Sequence, residues 1–293
     1  FVWGAASVRA QQSVLRFGSD KTFKIAQFTD MHLDPSKPRR LAEAEKTFAR
    51  LDRILATERP DLVVFTGDVV TGAPAEGMWR RLLDTMTARR VPFCVVLGNH
   101  DSEQDLSRQQ IGRIVTSYPG SLNALDAAGE LADRELEILG SGSRRPAWLL
   151  YCLDSHSESL LEGIDGYDWF RPEQVAWLRD RCTARRTANG GRAVPSLAFF
   201  HIVLPEYLAA WRNPSNTHIG RAAEAECPGA LNTGMFAAMV ESGSVMGTFV
   251  GHDHDIDYLV ADKGVCLGYG RFSGDNTTYN NLRPGVRLLL LTE

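Results

Sequence analysis

Short apolar runs bounded by turn residues alternate along the chain with segments of helical periodicity. After the run at residues 23–28, Leu41, Ala44, Phe48 and Leu51 recur at the three- and four-residue spacing that is typical of an amphipathic helix. The predicted strands are residues 23–28, 62–66, 93–97, 149–153, 196–200, 246–250, 256–261, 265–269 and 286–291. The predicted helices are residues 41–58, 79–90, 172–185 and 235–241.

This alternation predicts an α/β fold. Strands separated by helices of this length form βαβ units, in which neighbouring strands lie parallel. Residues 118–145 are polar and rich in Gly, Ser and Ala, and we expect them to form a surface excursion near the functional site. Because no linker-like stretch divides the rest, we predict an N-terminal extension or signal-peptide remnant at residues 1–19 and a single domain at residues 20–293.

The composition and charge argue against several classes of protein. Of the 293 residues, 44% are hydrophobic, which is enough for a large buried core. No apolar run approaches the roughly 18–20 residues that a membrane span requires. The formal net charge of −4, without a long basic run, indicates no general nucleic-acid surface. The five cysteines form no C-x-x-C pair, which argues against a zinc ribbon.

The first residues, FVWGAASVRAQQ, have an apolar start and small side chains. Val8 and Ala10 have the spacing of a signal-peptidase site. If residues 1–10 are the tail of a secretory signal, the protein is exported to the periplasm or secreted. The alternative is an ordinary flexible N-terminus, and the protein is then expected in the cytoplasm.

Histidines follow the predicted strands. Of the seven histidines in the chain, five lie where a strand ends and a polar turn begins: His32, His100, His201, His252 and His254. In parallel α/β sheets, ligands collect outside the carboxyl ends of the strands. These five side chains can therefore converge although they are far apart in sequence.

The local motifs around these histidines contain metal-ligating groups. In the D-x-H step of Asp30 and His32, an extended backbone is expected to place both side chains on one side, where they can ligate one ion. Asp68 follows Gly67 in a G-D step, and its two carboxylate oxygens are enough to bridge two metals. In the G-N-H-D motif, Asn99 offers a carbonyl oxygen and the next residue offers a titratable imidazole.

The whole set contains carboxylate and amide oxygens and imidazole nitrogens but no thiolate. This mixture favours Mn, Fe or Zn over a structural zinc cage, and it contains too much nitrogen for Ca or Mg alone. Two such ions, divalent or trivalent, can hold the attacking and the leaving oxygen of an in-line displacement and lower the pKa of a bound water.

The order D-x-H, G-D, G-N-H-D, a lone His201 and then G-H-D-H resembles the calcineurin-like metallophosphoesterases. The resemblance spans nearly the whole globular chain, from Asp30 to His254. Four segments are more similar to the purple-acid-phosphatase-like branch with a D-x-H first motif: residues 166–169, 200–207, 232–236 and 251–254.

This resemblance implies a two-sheet β-sandwich flanked by helices, with a dinuclear metal site at the C-terminal strand edge. It also implies that His100 faces the phosphate, where it protonates the leaving oxygen or stabilises the developing charge. The implied ligands are Asp30, His32 and His254 for the first metal, Asp68 as the bridge, and Asn99, His201 and His252 for the second metal.

The sequence also departs from its relatives. Purple acid phosphatases carry D-x-G where this chain has His32, and a metal-ligating Tyr where it has Thr71. The D-R pair that orients the catalytic histidine in the calcineurin type is absent, which leaves Asp101 and Asp154 as candidate partners of His100.

Further polar residues near these motifs have two interpretations each. Arg271, after a predicted strand, is a candidate phosphate ligand or a surface arginine. Asp253 and Asp255 are expected to be solvated turn acids, with the orientation of a histidine as the alternative.

The leading hypothesis is hydrolysis of a small phosphate monoester by a metal-bridging water or hydroxide. A phosphodiesterase acting on a cyclic nucleotide, phospholipid or nucleic acid at the same site is the alternative. A metal-binding interaction module without catalysis is a third hypothesis, and the presence of every implied ligand argues against it. The sequence leaves the oligomeric state open.

Overall fold

The computed structural model describes residues 14–277 and 282–293, and these form two β-sheets with helices around them. The strands are β1 Leu15–Arg16, β2 Thr22–Phe28, β3 Leu62–Thr66, β4 Phe93–Val96, β5 Arg134–Leu139, β6 Pro146–Cys152, β7 Ser196–Phe199, β8 His218–Ala222, β9 Val245–Val250, β10 Ile256–Asp262, β11 Val265–Tyr269 and β12 Arg287–Thr292. The helices are α1 Pro38–Glu58, α2 Ala75–Arg89, α3 Arg108–Thr116, α4 Pro172–Ala188, α5 Glu206–Arg212 and α6 Met235–Ser242.

The smaller sheet has the strand order β12-β2-β3-β4. Strands β2, β3 and β4 are parallel and β12 pairs antiparallel with β2. Every residue of β3 and β4 is buried, which explains their unbroken apolar sequences. The predicted face of α1 is confirmed for Ala44, Phe48 and Leu51, which are buried in the same cluster as the outward side chains of this sheet, but not for Leu41, which is exposed.

The larger sheet has the strand order β1-β5-β6-β7-β9-β11-β10-β8. Its centre, β6-β7-β9-β11, is parallel, whereas β5, β10 and β8 pair antiparallel with their inner neighbours. Helices α4 and α6 cover its outer face, with Leu178 and Met239 in the shared core.

A third cluster fills the space between the two sheets. Ile25 and Val64 of the smaller sheet pack there with Leu150, Phe199 and Phe249 of the larger sheet. The predicted α/β fold with a two-sheet sandwich flanked by helices is therefore confirmed. The parallel strands of both layers end at one edge, which gathers the segments that follow them.

Some elements were not predicted from the sequence. The expected surface excursion at residues 118–145 contains β5, whose Ile138 is fully buried, so that expectation was wrong for this part. Strand β1 pairs with β5, and the chain therefore joins the larger sheet before the predicted boundary at residue 20. Helices α3 and α5 and the edge strand β8 were also missed.

Within the described ranges, no helix is both long enough and apolar enough to cross a bilayer. The predicted signal-peptide tail at residues 1–10 lies outside the described residues.

Candidate metal centre

The predicted ligands come from both sheets. Asp30, Asp68 and Asn99 follow β2, β3 and β4 of the smaller sheet, whereas His201 and His252 follow β7 and β9 of the larger one. The carboxyl ends of all five strands meet at one edge of the sandwich. The site therefore lies at the strand ends, as predicted from the sequence.

One group of side chains converges around the D-x-H motif. Asp30, His32, Asp68 and His254 each offer a ligand atom, and these atoms all lie within 4.8 Å of one another. The Nε2 atoms of His32 and His254 are 3.2 Å apart. Nε2 of His32 lies 3.7 Å from Oδ2 of Asp68, and Nε2 of His254 lies 3.6 Å from Oδ1 of Asp30.

A second group converges around His201. Its Nε2 atom lies 3.1 Å from Oδ1 of Asn99, 3.3 Å from Nδ1 of His252 and 3.4 Å from Oδ2 of Asp68. The same oxygen of Asp68 therefore approaches both groups. Nδ1 of His201 lies 2.8 Å from the Thr66 carbonyl oxygen and donates to it, which leaves Nε2 as the ligand atom.

These separations fit two metal ions. Neighbouring ligands that each lie about 2.0–2.2 Å from one cation are about 2.8–3.6 Å apart in tetrahedral or octahedral geometry. The pairs measured in both groups fall in or close to this interval. All seven predicted ligands are thus brought together in two sets that share Asp68.

The electrostatics of the centre also favour cations. Burial lowers the pKa of His32 to about 4 and that of His252 to about 3, so both imidazoles are neutral at pH 7, the form that ligates metals. At His201, burial acts to lower the pKa, but the Asp68 carboxylate, its hydrogen bond and the Asp30 carboxylate raise it to about 10. The two carboxylates therefore create a strongly negative potential where a cation fits.

The backbone at the ligands is not extended. Asp30, His32, Asp68 and His252 have φ angles of 49°, 44°, 51° and 79°, in the left-handed region that non-glycine residues rarely adopt. The expectation of an extended D-x-H step was therefore wrong.

The cause of this conformation is tertiary pairing between two loops. The Asp30 and His32 amides donate to the Gly67 and Asp68 carbonyls at 3.0 Å and 2.9 Å. This pairing fixes the turn that directs the Asp30 and His32 side chains into the site.

Two glycines next to the ligands are required by close approaches. A Cβ atom on Gly67 would lie 2.3 Å from Nδ1 of His201, and its φ of 88° also disfavours a side chain. A Cβ atom on Gly98 would lie 2.3 Å from Oδ1 of Asp68. The glycines of the G-D and G-N-H-D motifs therefore allow the loops from β3, β4 and β7 to meet.

Asp101 organises these loops instead of orienting His100. Its buried carboxylate accepts hydrogen bonds from the backbone N–H groups of Gly98 and Asp68 on Oδ2, at 2.8 Å and 2.9 Å. Oδ1 accepts from Val69 and Val70, at 2.8 Å and 3.0 Å. The proposal of Asp101 as the partner of His100 was therefore wrong.

We expect Asp101→Asn to destabilise the protein. Either orientation of the amide turns an NH2 group toward two backbone donors, and unsatisfied buried donors cost about 1–3 kcal/mol each, so a loss of about 2–6 kcal/mol follows. Urea unfolding of the metal-free protein measures this loss. Asp180→Asn, on the exposed face of α4, is the matched control and should leave the midpoint unchanged. An unchanged midpoint in Asp101→Asn would contradict this role.

The actual partner of His100 is Glu103. Nδ1 of His100 lies 2.7 Å from Oε2 of Glu103, and both side chains are partly exposed, at 40% and 44%. The other candidate, Asp154, instead accepts a hydrogen bond from Arg108 at 2.5 Å. The His100 ring lies beside the centre, with its centroid 6.1 Å from that of His32.

Arg271 does not join the cluster through any contact found among the described residues. Its guanidinium donates to Oδ2 of Asp257 from Nε at 2.9 Å and to the Arg283 carbonyl at 2.9 Å. A role in binding phosphate therefore stays a prediction for Arg271.

The acids that flank the last histidines are buried. Asp253 and Asp255 have 6% and 0% relative exposure, so the expectation of solvated turn acids was wrong. Asp253 accepts a hydrogen bond from the Tyr269 hydroxyl at 2.6 Å, and burial, the largest effect, raises its pKa to about 7.

Three neighbours of the centre received no role from the sequence. Thr71, at the position of the tyrosine ligand of purple acid phosphatases, has its Oγ1 3.4 Å from Nδ1 of His32. Glu103 and Tyr167 were not assigned a role, although Glu103 lies only three residues after His100 and Tyr167 belongs to one of the segments that carry the resemblance. Proximity in sequence was an available indication for Glu103.

Comparison with known proteins agrees with this site. The family model for calcineurin-like phosphoesterases matches residues 23–255, and the chain belongs to that family. The protein is a metal-dependent phosphoric ester hydrolase, and its Asp/His cluster is of the dinuclear type found in this family.

Several curated relatives cover most of the chain. It is 32% identical over 292 residues to "Probable inactive purple acid phosphatase 29" of Arabidopsis thaliana, with 89% of this chain and 74% of that protein aligned. It is 31% identical to "Phosphatase DCR2" of Saccharomyces cerevisiae, with 85% of this chain and 48% of that protein aligned. A solved dimetal phosphatase from Danio rerio has the same fold, with a TM-score of 0.56, 16% identity and coverage of 86% of this chain and 88% of that one.

Proposed function

We propose that the protein hydrolyses small phosphate monoesters at a dinuclear metal centre made by the seven converging side chains. The observation that carries this proposal is the shared oxygen of Asp68, which lies 3.7 Å from the ligand nitrogen of His32 and 3.4 Å from that of His201. One carboxylate that approaches two separate sets of nitrogen and oxygen ligands is the arrangement that a pair of bridged cations requires.

In this proposal each ligand has a role. Asp30, His32 and His254 hold the first metal, and Asn99, His201 and His252 hold the second, with Asp68 common to both. When bound, the cations supply Lewis-acid stabilisation of the phosphoryl oxygens and lower the pKa of water. The identity of the metals, Mn, Fe or Zn, follows from the donor types and is part of the proposal.

His100 is the proposed proton donor to the leaving oxygen. Its side chain is 40% exposed and lies next to the ligand Asn99, so it can reach a substrate at the mouth of the site. The Glu103 carboxylate accepts from Nδ1 and thereby orients the ring, which leaves Nε2 to carry the proton toward the leaving group. The backbone N–H of His100 donates to Oδ1 of Asp68 at 2.9 Å, which fixes this loop to the bridging ligand.

The names of relatives support different finer functions. DCR2 is called a phosphatase, which supports a monoesterase, whereas the Arabidopsis relatives are called probable inactive purple acid phosphatases, which supports a protein without catalysis. In this chain the full ligand set and His100 occupy one edge of the sandwich, which favours the catalytic proposal. A phosphodiesterase remains the alternative that the assay below separates.

The test is a comparison of p-nitrophenyl phosphate with bis-p-nitrophenyl phosphate on metal-free protein refilled with Mn, Fe, Zn or Mg. We expect turnover of the monoester with at least one of the first three metals and little turnover of the diester. Preference for the diester would indicate that the protein is a phosphodiesterase and not a monoesterase. Two bound metals without turnover of either compound, or of a panel of natural phosphomonoesters, would favour the interaction module.

A further inference from the structure

Tyr167 borders the metal centre without belonging to the ligand set. Its ring packs perpendicular to the ring of His252, with an interplanar angle of 89° and centroids 4.2 Å apart. The residue is half-buried, so it rests on a ligand and is still partly accessible. Such a position is suited to a group that meets both the protein and a bound molecule.

The backbone of Tyr167 is fixed from two sides. Tyr167 forms an antiparallel bridge with Glu158, and the Ser159 amide donates to the Gly166 carbonyl at 2.9 Å, which closes the loop between them. The Ala230 amide donates to the Tyr167 carbonyl at 2.9 Å. The ring is therefore placed against His252 by a defined main chain.

The Tyr167 hydroxyl has no hydrogen-bond partner among the described residues. In contrast, the hydroxyls of the buried Tyr207 and Tyr269 contact Thr248 and Asp253, each at 2.6 Å. The Tyr167 phenol is therefore available to donate a hydrogen bond to a bound molecule.

We propose that Tyr167 contacts the substrate: its ring forms the wall of the site beside His252, and its hydroxyl donates a hydrogen bond to an oxygen of the bound phosphoryl group. This inference rests on the proposed phosphoesterase function, because it requires a phosphoryl group next to the second metal position. It adds a neutral donor on the His252 side of the site. A neutral donor suits this position because it stabilises the anion without competing for the cations.

The test is the binding of inorganic phosphate to the metal-loaded protein, measured by calorimetry. Tyr167→Phe keeps the ring on His252 and removes only the hydroxyl. We expect phosphate affinity to fall about threefold to tenfold, the effect of one hydrogen bond, with metal content unchanged. Tyr118→Phe is the matched control, because its hydroxyl contacts Asp84 and the Arg80 carbonyl away from the centre, and it should bind phosphate like the wild type.

Equal phosphate affinity in the wild type and in Tyr167→Phe would overturn this inference, whatever the activity of the enzyme. A reduced metal content in Tyr167→Phe would also overturn it, since the residue would then act through His252. If the wild type binds phosphate more tightly than Tyr167→Phe but hydrolyses no ester, the proposed function fails and the contact stands. Comparing phosphate binding and ester hydrolysis in the wild type and in Tyr167→Phe thus tests the Tyr167 contact separately from the proposed function.

Discussion

Asp68→Asn is expected to lower kcat/KM for p-nitrophenyl phosphate by on the order of 10³-fold or more. Oδ2 of Asp68 approaches the ligand nitrogens of both His32 and His201, so an amide in this place removes the one negative charge that both metal positions share. The amide nitrogen cannot ligate, and the remaining oxygen is a weaker ligand. We therefore expect the metal content, measured by mass spectrometry, to fall below two ions per chain.

The control for this variant is again Asp180→Asn, which makes the same chemical change on the exposed face of α4. It should keep both metals and full activity. Unfolding of Asp68→Asn is checked by circular dichroism, because Asp68 also accepts the His100 amide at 2.9 Å. A folded Asp68→Asn protein that retains most of its activity would refute the dinuclear assignment.

His100→Ala is expected to lower kcat by about 10²- to 10⁴-fold while two metals stay bound. The His100 imidazole interacts with Glu103 and is not among the ligand atoms that converge. The loss should be larger for phenyl phosphate than for p-nitrophenyl phosphate, because a poorer leaving group depends more on protonation. The ratio of the two rates is therefore the measurement that identifies a proton donor.

Two further variants make this result interpretable. His156→Ala removes a histidine whose Nε2 contacts Gln174 at 2.9 Å outside the cluster, and it should leave the ratio unchanged. Glu103→Gln should shift the ratio in the same direction as His100→Ala but by less, because the proton donor is still present. If His100→Ala loses metal in parallel with activity, His100 acts in the metal centre and the proton-donor role fails.

Much of the fold could be predicted because its central strands are buried on both faces. β3 is apolar up to its last residue, and the amphipathic pattern of α1 needs no knowledge of its neighbours. β5 escaped prediction because Glu135 and Glu137 alternate with its buried residues, and β8 because a five-residue edge strand buries little apolar surface. Strands of this kind are defined by their pairing partners more than by their own sequences.

In the site, too, some features of single residues could be predicted from the sequence and others could not. The types and order of the ligands could be predicted, since each motif follows a strand whose end lies at the common edge. The left-handed conformation of Asp30 and His32 could not, because it depends on hydrogen bonds to a loop more than thirty residues away. The role of Asp101 could not be predicted either, because its carboxylate accepts hydrogen bonds from four backbone amides on two loops and does not contact the neighbouring histidine.

Because the ligands come from two different sheets, metal binding would also affect the stability of the folded protein. Cations held by Asp30, Asp68 and Asn99 on one side and by His201 and His252 on the other would cross-link the layers of the sandwich at their common edge. Any ion that binds only the folded chain adds stability, about 2.7 kcal/mol at a concentration one hundred times its Kd. The side chains that determine turnover would then also determine how much stability the folded protein loses when metal is removed from the medium.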